Sequence, residues 1–213
     1  MDKGRSIEYG AKMQKFTKIV SKAAPLERSD FDTDQIYPKQ FLRTVKRIGL
    51  GDYAFYDLRN DPDGTPRDDF VLDQPQYKGA EILVTGRNFG GGSSREHAVW
   101  SMMDLGLRVV IAPSFGDIFF NNSFKNGLLP IQLPQEHVDE IMRSAKEQPD
   151  AEIEIDLEKQ TITRGNQFTF EFEIDAFNKE CLMNGLDDIG LTLKKSVHID
   201  SYEEKTKSER PWI

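Results

Sequence analysis

The sequence predicts an α/β fold, with a mainly parallel sheet, helices packed on it and an appended antiparallel hairpin. Three observations carry that prediction. Short apolar runs bounded by turn signals alternate with helix-period stretches through the middle of the chain. Their order is β-α-β-α-β, and such crossovers place successive strands parallel. Beyond residue 150 the pattern changes to strict alternation, the signature of half-buried antiparallel strands.

Residues 1–12 are polar and patternless and read as a flexible extension. Met13 opens a more ordered stretch through Val20. Residues 57–69, with four Asp among Gly and Pro between Asn60 and Asp69, read as a solvated loop. The whole span from about Arg43 to Asp69 is long enough to act as a lid ordered only by a partner. Residues 80–84 form an apolar strand, followed by a Gly-rich turn from Gly86 to Gly92.

Ser93 and Glu96, three apart, fit a capping box opening the next helix, and Gly106 suits its end. A strand at 108–112 stops at Pro113. A helix from Asp117 to Asn126 closes at Gly127, a strand covers 128–133, and a helix follows over 134–146. Residues 152–157, 161–163 and 168–172 alternate with period two, the last two runs joined through Arg164, Gly165 and Asn166. Asp175 caps a helix that Asn184 and Gly185 end. The domain therefore spans 13–195, and 196–213 is a polar tail with a short helix near Tyr202.

Composition narrows the class of function. A hydrophobic fraction of 38% with 14 Phe and 30% charged residues suits a soluble globular chain, and 213 residues suit one domain. No apolar run approaches the roughly 18 residues that span a bilayer, and the first residues lack a signal peptide's apolar stretch, so a cytoplasmic protein with no membrane partner is expected. With 28 Lys and Arg against 36 Asp and Glu and no basic run, nucleic acid is a poor partner. The one cysteine, Cys181, excludes an internal disulfide and cannot alone hold a zinc or iron–sulfur site. No metal or cofactor is expected on this chain, and any cluster must come from another.

The most informative stretch runs from Gly86 to His97. Gly90, Gly91 and Gly92 after a strand allow close backbone approach, and the helix N-terminus offers unpaired N–H groups to an anion. Ser93 and Ser94 add hydroxyls, and Arg95 adds a planar fork for a carboxylate or phosphate. Neither a P-loop nor a dinucleotide fingerprint is present. A plain tight turn with Arg95 in a surface ion pair accounts for the same residues without function. A second candidate, Asp32 and Asp34 in the turn at 29–38, lacks the Gly and closing Glu of a calcium loop. Its carboxylates fit either a cap or a site.

Taken together, residues 32–42, 86–98 and 111–118, with 175–177 and 183–192, resemble the small subunit of 3-isopropylmalate dehydratase, in order from about Met13 to Leu193. The resemblance implies the swivelling β/β/α domain of the aconitase superfamily, working only with a large subunit that carries a 4Fe–4S cluster. The implied reaction converts 2-isopropylmalate to 3-isopropylmalate through 2-isopropylmaleate in leucine biosynthesis. It makes Ser93 the base, sets Ser94 and Arg95 on a substrate carboxylate, and puts Asp34 at the subunit junction, orienting a group of the large subunit, with His97 in support. Phe41, Leu42, Arg43 and Thr44 fall where the family places its specificity loop. Core packing is the alternative for Phe41 and Leu42. Gly91 departs from the Cys found there in many bacterial members. A related diacid isomerase (homoaconitase, or citraconate/methylmalate isomerase) would share the Ser-Ser-Arg motif, and a non-catalytic dicarboxylate-binding module is the reading from another class.

Overall fold

The computed structural model describes residues 13–43, 48–92, 95–210 and 212. Its strands are β1 (Lys18–Ser21), β2 (Ala23–Leu26), β3 (Ile82–Thr85), β4 (Val109–Ala112), β5 (Leu129–Gln132), β6 (Ile153–Asp156), β7 (Thr161–Arg164) and β8 (Phe168–Glu171). The helices are α1 (Thr33–Ile36), α2 (Tyr56–Arg59), α3 (Glu96–Asp104), α4 (Asp117–Asn126), α5 (Gln135–Glu147), α6 (Ala176–Asn184), α7 (Asp188–Leu193) and α8 (Ser196–Glu209). Two four-stranded sheets result. One is parallel, in the order β2-β3-β4-β5, and the other antiparallel, in the order β1-β6-β7-β8.

The α/β expectation holds, and the antiparallel part is larger than a hairpin. β1 pairs with β6, Lys18 against Asp156 through Ser21 against Ile153. Local periodicity cannot register a partner that far along the chain. Within one residue, Lys22, the chain then leaves this sheet and enters the other as β2. Pro25 interrupts β2 and Pro130 interrupts β5. Both are edge strands, where a missing N–H breaks no ladder.

Alternation along the parallel strands sends side chains to two cores. Leu83 and Val110 face Ala98, Val99 and Met102 of α3. Ile82, Val84, Val109 and Ile111 face Val138 and Ile141 of α5 together with Ile153, Ile155 and Ile162 of the antiparallel sheet. All of these are buried, each worth about 1.5–3 kcal/mol against exposure for the larger side chains. The layers are therefore helix, parallel sheet, then α5 with the second sheet.

Two boundaries differ from expectation. α3 begins at Glu96 with Arg95 in the capping position, and the Arg95 side chain makes no cap hydrogen bond. Glu96 thus stands at the first helical position rather than the third, the position the expected capping box requires. The box lies at α1 instead: the Asp32 carboxylate accepts the Asp34 N–H at 2.7 Å, and the Gln35 amide oxygen takes the Asp32 N–H at 3.1 Å. At the C-terminus, the helix around Tyr202 runs the 14 residues of α8, and none of them is buried.

Between residues 48 and 59 the chain packs on the core instead of standing free as a lid, while 61–69 stay largely exposed. Leu50, Ala54 and Phe55 are buried in the core, the Phe55 N–H donates to the Ile36 carbonyl at 2.7 Å, and Arg59 grips Asp73 with two bonds of 2.7 and 2.8 Å. Phe55 even holds a left-handed φ of 57°, which its burial between Phe31 and Phe70 sustains.

Candidate active site

Parallel pairing points the carboxyl ends of β2, β3 and β4 the same way, and ligands of open α/β sheets bind beyond such ends. Three loops leave there and continue the ladder as single bridges, Asp32 with Gly91 and Phe89 with Phe115. The Gly91 N–H donates to the Phe31 carbonyl at 2.9 Å, and the Gly91 carbonyl accepts from Thr33 at 2.8 Å. On the other side Phe89 donates to the Ser114 carbonyl at 3.1 Å, and Gly116 donates to the Phe89 carbonyl at 2.9 Å. Asn88, at φ 55°, donates its N–H to the Ser114 hydroxyl at 2.8 Å and its amide to Asp30 at 3.0 Å.

This stitching corrects one expectation. The Gly91 N–H is committed to a neighbouring loop, so it does not face an anion. Gly90 has a different reason to be glycine. Its φ is 75°, and a Cβ there would lie 2.3 Å from the Phe119 ring. Only glycine lets the turn sit on α4. Ser93 and Ser94, the expected base and its neighbour, lie outside the described residues, as does Thr44.

The structure brings Asp34 and Arg95 together. Arg95 Nη1 donates to Asp34 Oδ1, joining two motifs 61 residues apart. Asp34 was expected to orient a group of the large subunit; here its partner is this chain's own arginine. The side chains are 25% and 45% exposed, so water screens the pair to about 0–1 kcal/mol. An attraction of that size orients the guanidinium without preventing exchange for another carboxylate.

His97, in the first turn of α3, stacks on Tyr37 at 5.7 Å and leans on Trp100 at 4.8 Å. Tyr37 is buried, which raises its hydroxyl above the usual phenol value, and that hydroxyl donates to the Phe41 carbonyl at 3.2 Å. Phe41 is half-buried against Tyr37, Tyr53 and Tyr56, with ring centroids at 6.3, 4.4 and 5.0 Å. Leu42 also packs on the core, while Arg43 is exposed. Both apolar candidates thus make the core contacts that the alternative reading expected.

Sequence reasoning assigned no role to the aromatic residues around Phe41. The aromatic density of 53–56 was the available signal, outweighed by the polar run after it. Cys181 is buried in α6, where desolvation pushes its thiol up. Among the described residues no group of three His, Cys, Asp or Glu could hold a metal ion, and no helix is long and apolar enough to cross a membrane.

Comparison with known proteins places this geometry in a family. Residues 13–136 match the aconitase C-terminal domain, 139–176 match the segment described as LeuD_N, and 188–213 match the C-terminal domain of the 3-isopropylmalate dehydratase small subunit. The 3-isopropylmalate dehydratase small subunit of Dinoroseobacter shibae is 56% identical over 201 residues, covering 94% of this chain and all of the relative. The chain belongs to the 3-isopropylmalate dehydratase small-subunit family.

The small subunit of Roseobacter denitrificans is 55% identical over the same length. The crystal structure of 3-isopropylmalate dehydratase from Methanocaldococcus jannaschii superposes with a TM-score of 0.62 at 31% identity, covering 87% of this chain and 99% of that one. Membership makes this a lyase subunit of aconitase type, one component of a heteromeric enzyme with a large-subunit partner. The family match over 188–213 takes α7 and α8 into one segment, so the stretch expected to be a tail falls inside the family's C-terminal domain.

Proposed function

We propose that this chain is the small subunit of a cytoplasmic hydro-lyase that isomerises 2-isopropylmalate to 3-isopropylmalate through 2-isopropylmaleate in leucine biosynthesis. The observation that carries the reading is the end-to-end likeness to the Dinoroseobacter small subunit, with Arg95 held at the start of α3 directly after Ser93 and Ser94.

The chemistry removes a proton beside a carboxylate whose negative charge then grows. Ser93, as its alkoxide, takes that proton and becomes the neutral hydroxyl, while the C–O bond on the adjacent carbon breaks and the substrate hydroxyl departs as hydroxide on the side of the large subunit. An ordinary serine alkoxide is too basic to persist at neutral pH, so the role needs a positive, water-poor surrounding. The α3 N-terminus and Arg95 supply positive charge on this side, and closure against the large subunit excludes water. Arg95 carries five donors in a planar fork. One edge is aligned by Asp34, and the other, with Ser94, holds the substrate carboxylate and stabilises it as charge accumulates. Phe41 and Leu42 shape the apolar side of the site toward the isopropyl group, with Arg43 and Thr44 continuing that loop.

A 4Fe–4S cluster belongs to the large subunit in this reading. Cys181 is the chain's one cysteine and is buried in α6, so the residues here do not fit a cluster and no step of this subunit passes through one. Ser93→Ala in the reconstituted complex tests the assignment. Loss of a general base lowers turnover by about 10²–10⁴, with assembly of the complex retained; unchanged turnover contradicts it.

A further inference from the structure

We infer that Tyr53 is a positioning residue for substrate selectivity, fixing the wall that receives the substrate's apolar branch. The inference rests on the proposed reaction and extends it to a residue outside the sequence motifs. Phe41 is the residue to which the proposed reaction gives the apolar branch, and Tyr53 is its closest aromatic neighbour, stacked at 4.4 Å with 28° between the rings. Tyr56 closes the same ring edge-on at 5.0 Å. Tyr53 is 38% exposed, more than its neighbours Phe41 and Tyr56, so it is the outermost member of the group.

Its own position is fixed from α3. Tyr53 ends a short turn that starts at Gly51. The Gly51 N–H donates to the Asp104 carboxylate at 2.8 Å, and a Cβ on Gly51 would stand 2.9 Å from the Leu105 nitrogen. That turn is therefore pressed against the C-terminal end of the helix that carries Arg95 at its start. Phe41 is referenced to α3 twice, through Tyr37 to His97 near the front and through Tyr53 to Asp104 at the back. The carboxylate-binding and branch-binding sides thus keep a set separation, and Tyr53 holds the branch side. An exposed aromatic with no packing duty in the deep core has a reason to be there.

The test is steady-state kinetics of the reconstituted complex with 2-isopropylmaleate, and with citraconate, which carries a methyl in place of the isopropyl, as competitor. Tyr53→Ala should raise KM for 2-isopropylmaleate by about fivefold to tenfold, with kcat within about twofold and the citraconate inhibition constant unchanged. Tyr53→Phe keeps the stack and should restore the parental KM. An unchanged KM in Tyr53→Ala, or an equal loss toward both ligands, overturns the inference while leaving the reaction standing. A parental complex inert toward 2-isopropylmaleate overturns the reaction and this inference with it.

Discussion

The loops beyond the parallel strands and the turns of the antiparallel sheet are built on different terms. Gly165, between β7 and β8, holds φ 49° with open space where a Cβ would stand. Gly90, after β3, holds φ 75° with the Phe119 ring 2.3 Å from that point. The first turn answers only to its own backbone. The second answers to α4, and through Gly91 and Phe89 to two other loops. A site assembled from several loops is rigid where it is stitched, and each stitch adds a constraint that no single segment displays.

Three substitutions sharpen the contrast. Gly90→Ala combines a disfavoured φ with a clash against a buried ring and should cost about 3 kcal/mol or more, lowering Tm by roughly 6–12 °C in calorimetry. Gly165→Ala meets only the backbone penalty, about 1 kcal/mol and some 2–4 °C. Equal shifts for the two would erase the distinction. The smallest effect belongs to Gly91→Cys. Its φ is not left-handed, and the nearest atom to a Cβ is the Asn88 amide oxygen at 3.3 Å, the end of a side chain that can give slightly. Turnover of the reconstituted complex should stay within about threefold; complete loss of activity would show that the turn tolerates nothing at that position.

The same contrast explains what the sequence could disclose. α4 is found from Asp117 to Asn126 as expected, and Asp175 caps α6 through the N–H groups of Phe177 and Asn178, because both signals are local. β2 escaped notice because Pro25 argues against a strand until its edge position is known. The capping box went to the wrong helix because two stretches carried compatible spacing, and only the three-dimensional start of α3 decides between them. The sequence marks Arg95 as a planar fork suited to a carboxylate, and the carboxylate it meets in the structure, Asp34, could not be read from it because two loops meet across 61 residues. Tyr53 had no motif at all; its role follows from the ring it stacks on.

Turnover with the partner present bears on the proposed reaction more directly than any substitution. The protein is mixed with an iron-loaded large subunit under anaerobic conditions, and the ultraviolet absorbance of 2-isopropylmaleate is followed, with each subunit alone as control. Consumption of 2-isopropylmaleate in the mixture and in neither control is the predicted result. A formed complex with an intact cluster that leaves 2-isopropylmaleate untouched would contradict the assignment.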